Sequence, residues 1–363
     1  MAVNVPQFKL NNGVLMPSVG LGCWMGAKGG GERVYHMVTA ALKAGYRHVD
    51  TADGYGNEEE VGRAIRDSGI PRKDIFVTTK LNNTDHHRVQ EAYERSLKAL
   101  DLEYIDLWLI HWPQGSQDGR SLKPDESPTY HETWAEMVKV YETTGKVRAI
   151  GVSNFGVPIL KSLLATTKVV PAVNQVELHP CLPQENLRKF SADHGIVLTA
   201  YSPIGQPAPD QVSPLLTDES VKEVAKKHGV TEGQAVLSWA VQHGIVVVPK
   251  SENPERMKAN ITLVHLDDAD VKAIDAVHKK PDLHRSLLGY HSPDGSVFGW
   301  TYEEMGWELQ AGAKSTSQVE ATPGLKVNLL VSRTSQSQWQ APRFIAFTGS
   351  YDFSATWIAP HPS

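Results

Sequence analysis

The stretch Gly45-Tyr-Arg-His-Val-Asp-Thr-Ala-Asp-Gly-Tyr-Gly-Asn-Glu58 decides how the rest of the chain is read. It starts as a short apolar run and ends on a carboxylate, Asp50. Tyr55 follows between Gly54 and Gly56, and after it come Asn57 and the glutamates Glu58, Glu59 and Glu60. That order reads as strand, loop and helix start, with Asn57 as the N-cap and the glutamates at the positive end of the helix. An acid and a phenol at the C-terminal end of a strand, on a glycine-bordered turn, stand where an α/β fold places its chemistry.

Outward from this stretch the same alternation repeats. Apolar, β-branched-rich runs occur at 17–22, 46–50, 74–79, 104–110, 147–152, 172–176, 196–201 and 245–248. Segments of helical period lie between them, at 32–43, 57–67, 87–100, 130–143, 157–165, 184–194, 217–228 with 231–242, and 254–261. Eight strands each followed by a helix imply parallel pairing through right-handed crossovers. An open doubly wound sheet would satisfy this pattern, but the even spacing favours closure into a (β/α)8 barrel, the TIM-barrel architecture. Ahead of it, Asn11-Asn12-Gly13 between short apolar pieces over Phe8 to Met16 predicts an N-terminal β-hairpin.

The pattern changes near the end. Leu283 to Trp307 carries Tyr290, Phe298, Trp300, Tyr302 and Trp307, and is expected to fold back over the barrel. Residues 310–363, rich in Ser, Thr, Gln and Pro without period, read as a disordered or atypical tail. The expected division is therefore a barrel domain over 1–309 and a tail over 310–363.

Bulk properties narrow the class. The chain has 363 residues, a net charge of −5 and a pI near 6.3, which gives no electrostatic reason to expect nucleic-acid or membrane binding. Two cysteines, Cys23 and Cys181, make no disulfide framework and no CxxC spacing. The N-terminus lacks the pattern of a signal peptide, and no apolar run nears the roughly 18 residues that span a bilayer. The expectation is a soluble cytoplasmic protein.

In a closed barrel the C-terminal strand ends converge on one face. Strand two ends on Asp50 with Tyr55 just beyond, strand three on Lys80, and strand four on His111 followed by Trp112. A lone lysine there reads equally well as a snorkelling edge residue, and a lone histidine reads more readily as core. Their succession on consecutive strands points to one site. No GxGxxG motif is present, since Gly20-Leu-Gly-Cys-Trp-Met25 lacks the third small residue, so a Rossmann site is disfavoured. Lys250, Ser251 and Arg256 cluster after strand eight instead, near a predicted helix start. Two cations and a hydroxyl suit a phosphomonoester. His86, His87, His179 and His194 form no HExxH or other closed ligand set, so no metal is assigned.

Over about residues 6–307 the chain resembles the aldo-keto reductase family, most nearly its fungal members. Gly45-Tyr-Arg-His-Val-Asp-Thr-Ala52 with Glu58 and Val61-Gly62 fits one family motif, and Val147-Arg-Ala-Ile-Gly-Val-Ser-Asn-Phe155 a second. Val248-Pro-Lys-Ser251 with Arg256 and Ala259-Asn260 fits a third, and Gly299-Trp-Thr-Tyr-Glu-Glu-Met-Gly-Trp307 resembles the fungal ending. The resemblance implies a (β/α)8 barrel that reduces an aldehyde or ketone with NADP(H), with use of NAD(H) left open by Glu252. It implies a catalytic tetrad of Asp50, Tyr55, Lys80 and His111, in which Tyr55 gives the proton. Lys80 is expected to draw the phenol pKa down from about 10 towards the working range, with Asp50 orienting Lys80 and His111 aligning the carbonyl.

The resemblance further implies Ser153, Asn154 and Gln175 on the carboxamide, Tyr201 stacked on the nicotinamide, and Ser202, Lys250, Ser251, Arg256 and Asn260 along the rest of the cofactor. The substrate pocket is expected to be walled by Trp24, Trp112 and Trp300, with the loop Gln114 to Pro128 and Gln206 to Asp210 as rim. The partner is a small-molecule carbonyl or alcohol, taken up by a monomer or dimer. The competing function is a catalytically silent barrel serving as a binding or structural subunit, which an intact tetrad argues against.

Overall fold

Gly22 pairs with Asp50, Asp50 with Thr78 and Lys80 with Leu109, all in parallel register, so successive strands carry the candidate site residues side by side. The protein is described here from a computed structural model, which covers residues 5–206 and 211–309. The expected tail over 310–363 and the rim residues Pro207 to Asp210 lie outside the described residues.

The chain begins with the hairpin β1 (Gln7–Lys9) and β2 (Leu15–Pro17), as the Asn-Asn-Gly signal predicts. The eight-stranded parallel sheet then runs through β3 (Leu21–Gly22), β4 (His48–Asp50), β5 (Phe76–Leu81) and β6 (Leu107–Ile110). A small hairpin, β7 (Ser116–Gln117) with β8 (Arg120–Ser121), stands in the loop after β6. The sheet resumes with β9 (Ile150–Ser153), β10 (Val173–Glu177), β11 (Val197–Tyr201) and β12 (Val246–Val247). Each strand lies beside its predecessor in the sheet. The barrel closes where Val19 bridges Val247 in parallel, with Gly20 N donating to Val247 O and Val247 N to Ser18 O, both at 2.8 Å. Closure and not the open sheet is the outcome.

The strands are buried on both faces, as parallel strands under helices must be. Leu107 and Leu109 point into the barrel while Trp108 and Ile110 pack outward against the helices, the period of two expected of a strand. Leu10 and Met16 of the hairpin join Phe76, Leu107, Val173 and Val246 in the inner cluster, so the hairpin plugs the N-terminal end of the barrel. The other end stays polar and carries the site.

Two of the longest helices begin where side chains satisfy the first amides. Thr129 with Glu132 caps Tyr130–Thr144, and Thr231 with Gln234 caps Glu232–Gln242, each as a reciprocal capping box. The helix Asp268–Asp275 falls outside the predicted segments, and Pro214–Thr217 meets them only at Thr217. The C-terminal segment folds over the strand ends as expected, forming β13 (Ser296–Val297), β14 (Trp300–Thr301) and the turn of helix Tyr302–Met305. It is tied down by Gln114 Nε2 donating to Val297 O at 2.9 Å and Trp300 Nε1 to Leu122 O at 2.6 Å. No helix among the described residues is long and apolar enough to cross a membrane.

Candidate active site

The centre of the site is a buried ammonium. Lys80 is completely buried near the end of β5, and Asp50 at the end of β4 is 2% exposed. Lys80 Nζ donates to Asp50 Oδ1 at 2.6 Å, to Thr51 O at 2.8 Å and to Tyr55 Oη at 3.4 Å. Two charges this far from water persist only when paired and hydrogen-bonded. Burial disfavours the Lys80 charge, yet Asp50 and Tyr55 outweigh it and hold the ammonium above the ordinary lysine range.

Tyr55 lies in a short 3-10 turn, Asp53–Tyr55, that closes on the left-handed Gly56. Its ring faces Trp24 at 5.1 Å and meets His111 edge-on at 5.6 Å between centroids. Burial pushes its phenol up, Lys80 draws it down and Asp50 raises it again, so the net direction is upward. The sequence expectation has the Lys80 influence right and the net direction wrong, because desolvation of the phenolate exceeds the attraction of one lysine that already shares its charge with Asp50. His111 is held well below the ordinary histidine value by burial and by Lys80, so it is a neutral imidazole at pH 7.

Asp50 has a second partner. Gln175, on β10, donates from Nε2 to Asp50 Oδ2 at 2.6 Å. Ser153 Oγ donates to Gln175 O at 2.7 Å, and Asn154 Nδ2 donates to Ser153 Oγ at 3.1 Å and to His111 O at 3.0 Å. Asn154 adopts a left-handed backbone with φ of 68°, and Ser202 does so with φ of 46°. Such strain at two strand ends is held by the surrounding hydrogen bonds and is characteristic of sites. Tyr201 Oη donates to Asn154 Oδ1 at 2.8 Å and lies 2.6 Å from Tyr290 Oη, which comes from the C-terminal segment.

Asn57 and Glu58 depart from their expected places. Asn57 sits before the helix Glu58–Asp67 but makes no side-chain cap. It is buried instead, accepting from Thr51 Oγ1 at 2.7 Å and donating to Cys23 O at 2.9 Å, which ties its own loop to the one after the preceding strand. Glu58 is buried as well, accepting from Thr79 Oγ1 at 2.6 Å, and burial raises its carboxyl to about 7. Both side chains turn inward because β5 and the first loop present buried polar partners there. Cys23 and Cys181 are free and buried.

Of the three expected pocket tryptophans, Trp24 and Trp112 stand beside Tyr55 and His111. Trp300 is 2% exposed and spends its indole on Leu122 O, anchoring the loop after β6. The rings around Trp112 are Phe298 at 4.8 Å, Tyr290 at 5.6 Å and Trp307 at 6.2 Å. From this segment the sequence points to Trp300, whereas Tyr290, Phe298 and Trp307 are the rings that reach Trp112, a choice the segment's lack of period does not encode.

At the closing edge of the barrel, Lys250, Ser251 and Arg256 follow β12. Ser251 is buried, with its hydroxyl on Asn253 O at 3.3 Å, and Asn260 lies buried beside the Tyr46 hydroxyl. The Arg256 guanidinium has no ion-pair partner among the described residues. Lys250 Nζ pairs with Glu252 Oε1 at 2.5 Å, and Arg33, from across the closing edge, grips the same carboxylate through Nε at 3.1 Å and Nη2 at 2.9 Å. Arg33 escaped the sequence reading; the Gly29-Gly-Gly31 run just before it was the available signal. Among the described residues no three His, Cys, Asp or Glu side chains gather as metal ligands.

Comparison with known proteins agrees with this geometry. The sequence model of the Aldo/keto reductase family matches residues 18–279. An aldehyde reductase of Saccharomyces cerevisiae is 44% identical over 289 residues, which is 75% of this chain and 90% of the relative. Glycerol 2-dehydrogenase (NADP(+)) of the same yeast is 44% identical over 302 residues, 78% of this chain and 94% of that protein. Among solved structures, a Bombyx mori aldo-keto reductase in complex with NADP superposes with a TM-score of 0.70 at 36% identity, covering 76% of this chain and 93% of its own. With its closed barrel and its polar cluster at the strand ends, the chain belongs to the aldo/keto reductase family and is an oxidoreductase that reduces carbonyl groups.

Proposed function

We propose that this protein reduces an aldehyde or ketone with NADPH and that Tyr55 delivers the proton. The observation that carries the assignment is Lys80 Nζ placed between Asp50 Oδ1 and Tyr55 Oη, at 2.6 and 3.4 Å. The hydride comes from NADPH. A phenol raised by burial stays protonated at pH 7, as a proton donor requires, and the phenolate left behind is stabilised by the adjacent ammonium. His111, neutral and edge-on to Tyr55, donates to the carbonyl oxygen and aligns it. Tyr55 and Lys80 titrate as a coupled pair, so a pH profile reports the pair.

The donor set suits this cofactor. Lys250 and Arg33 converge on the one carboxylate of Glu252, and Arg256 follows in the next helix, a set of cations that fits a phosphomonoester. Ser153, Asn154 and Gln175 supply amide and hydroxyl groups at the strand ends for the carboxamide, Tyr201 supplies a ring for the nicotinamide, and Ser202, Ser251 and Asn260 line its course to the closing edge. Trp24 and Trp112, joined by Tyr290, Phe298 and Trp307, form an aromatic wall that admits a small carbonyl compound such as a sugar or glycerol-type aldehyde. We take residues 1–309 as the catalytic domain of a cytoplasmic monomer or dimer. A silent barrel is the weaker reading, because a purely structural role gives no reason to bury Lys80 and Asp50 beside a half-accessible phenol.

The test is Tyr55→Phe, assayed by NADPH oxidation across a panel of aldehydes and ketones. Turnover should fall about 10²–10⁴-fold while the Kd for NADPH stays unchanged. Near-normal turnover would refute the assignment.

A further inference from the structure

We propose that Arg33 is a third binding group for the cofactor's 2′-phosphate and that Glu252 is an internal competitor for it, so that this pair sets the preference between NADPH and NADH. The inference rests on the phosphate site proposed above at Lys250, Ser251 and Arg256.

Glu252 follows β12, and Arg33 stands in the first turn of the helix Glu32–Ala44, across the edge where β3 and β12 close the barrel. The guanidinium takes both carboxylate oxygens, with Nη2 at 2.9 and 3.0 Å and Nε at 3.1 Å, while Lys250 Nζ takes Oε1 at 2.5 Å. A fork of guanidinium donors plus an ammonium around two oxygens is also the arrangement that receives a phosphate. Glu252 therefore holds the place of an anion.

Magnitudes favour displacement. The Arg33 side chain is 67% exposed and those of Glu252 and Lys250 are 34% and 36%, so solvent and salt screen the clasp. A phosphomonoester brings about −1.5 to −2 charges and three acceptor oxygens, against one charge and two oxygens on the carboxylate. With the phosphate in place, Lys250, Arg33 and Arg256 face both anions; without it, the Glu252 clasp stays shut. Exchange of one anion for the other costs NADPH part of its affinity and costs NADH nothing.

The test uses the full-length protein and calorimetric titration with adenosine 2′,5′-bisphosphate, adenosine 5′-monophosphate and NADH. Glu252→Gln should bind the bisphosphate about three- to tenfold tighter. Arg33→Met should bind it weaker by a similar factor, both alone and in the Glu252→Gln background. Binding of the monophosphate and NADH should not change. If Arg33→Met has no effect once Glu252 is glutamine, Arg33 is only the partner of Glu252 and the inference falls. If Glu252→Gln weakens NADH, the carboxylate is a ribose acceptor and the inference falls. Equal binding of bisphosphate and monophosphate by wild type and by Arg256→Met would instead remove the phosphate site itself.

Discussion

Gln175 and Asp50, 125 residues apart in the chain, are joined by a hydrogen bond of 2.6 Å from Gln175 Nε2 to Asp50 Oδ2. Lys80 occupies the other oxygen of the same carboxylate, so Asp50 is held on both sides and cannot rotate without losing a charge-assisted bond. The orientation of Lys80 towards Tyr55 thus depends on a strand on the far side of the barrel.

Gln175→Met keeps the length of the side chain and removes the donor. A hydrogen bond to a charged group contributes about 1.5–3 kcal/mol, and part of that loss should appear as a fall of about tenfold in kcat. Steady-state kinetics at saturating NADPH check this, and an unchanged kcat would show that Lys80 alone positions Asp50.

Lys80→Met leaves the Asp50 carboxylate buried with no cation. Removing one member of a buried pair costs about 3–5 kcal/mol, so the variant should lose stability as well as turnover. The double variant Lys80→Met with Asp50→Asn should regain most of the stability and none of the activity. Urea denaturation of the three proteins checks it.

Glu58 makes stability depend on pH. Its carboxyl is raised to about 7 from 4.5, so the folded state holds a proton the unfolded chain has lost between these values. Its contribution is full below about 4.5 and declines as pH rises to about 7, by up to about 3 kcal/mol. Glu58→Gln should remove this decline, gaining on wild type from pH 5 to pH 8 in urea unfolding. A constant difference between the two proteins would exclude it.

Gly62→Ala should destabilise the fold. A Cβ built at Gly62 lies 1.9 Å from the Leu100 carbonyl oxygen, where the helix Glu58–Asp67 crosses the end of Val89–Leu100. A methyl group meeting backbone has nothing flexible to displace, so a loss of about 1–3 kcal/mol or more is expected, read as a lowered Tm.

The strand and helix succession, the hairpin and the three residues around Tyr55 are legible in the sequence because each rests on local order. Alternating apolar runs declare strands, and a parallel barrel sends every strand end to one face, so Asp50, Lys80 and His111 meet by topology alone. Which C-terminal rings join Trp24 and Trp112 was not legible, because Tyr290, Phe298 and Trp307 reach Trp112 through an irregular segment whose path is set by two long-range anchors, Gln114 on Val297 and Trp300 on Leu122.

By itself, then, the sequence determined the barrel, the hairpin ahead of it and which residues stand at the strand ends. Only the tertiary structure decided that Asn57 and Glu58 turn inward, that Gln175 holds Asp50, that burial outweighs Lys80 at Tyr55, and that Arg33 reaches Glu252. The physical reason is common to all four. Burial and side-chain pairing between elements, up to 219 residues apart, are set by how elements pack, and no local pattern of residues encodes them.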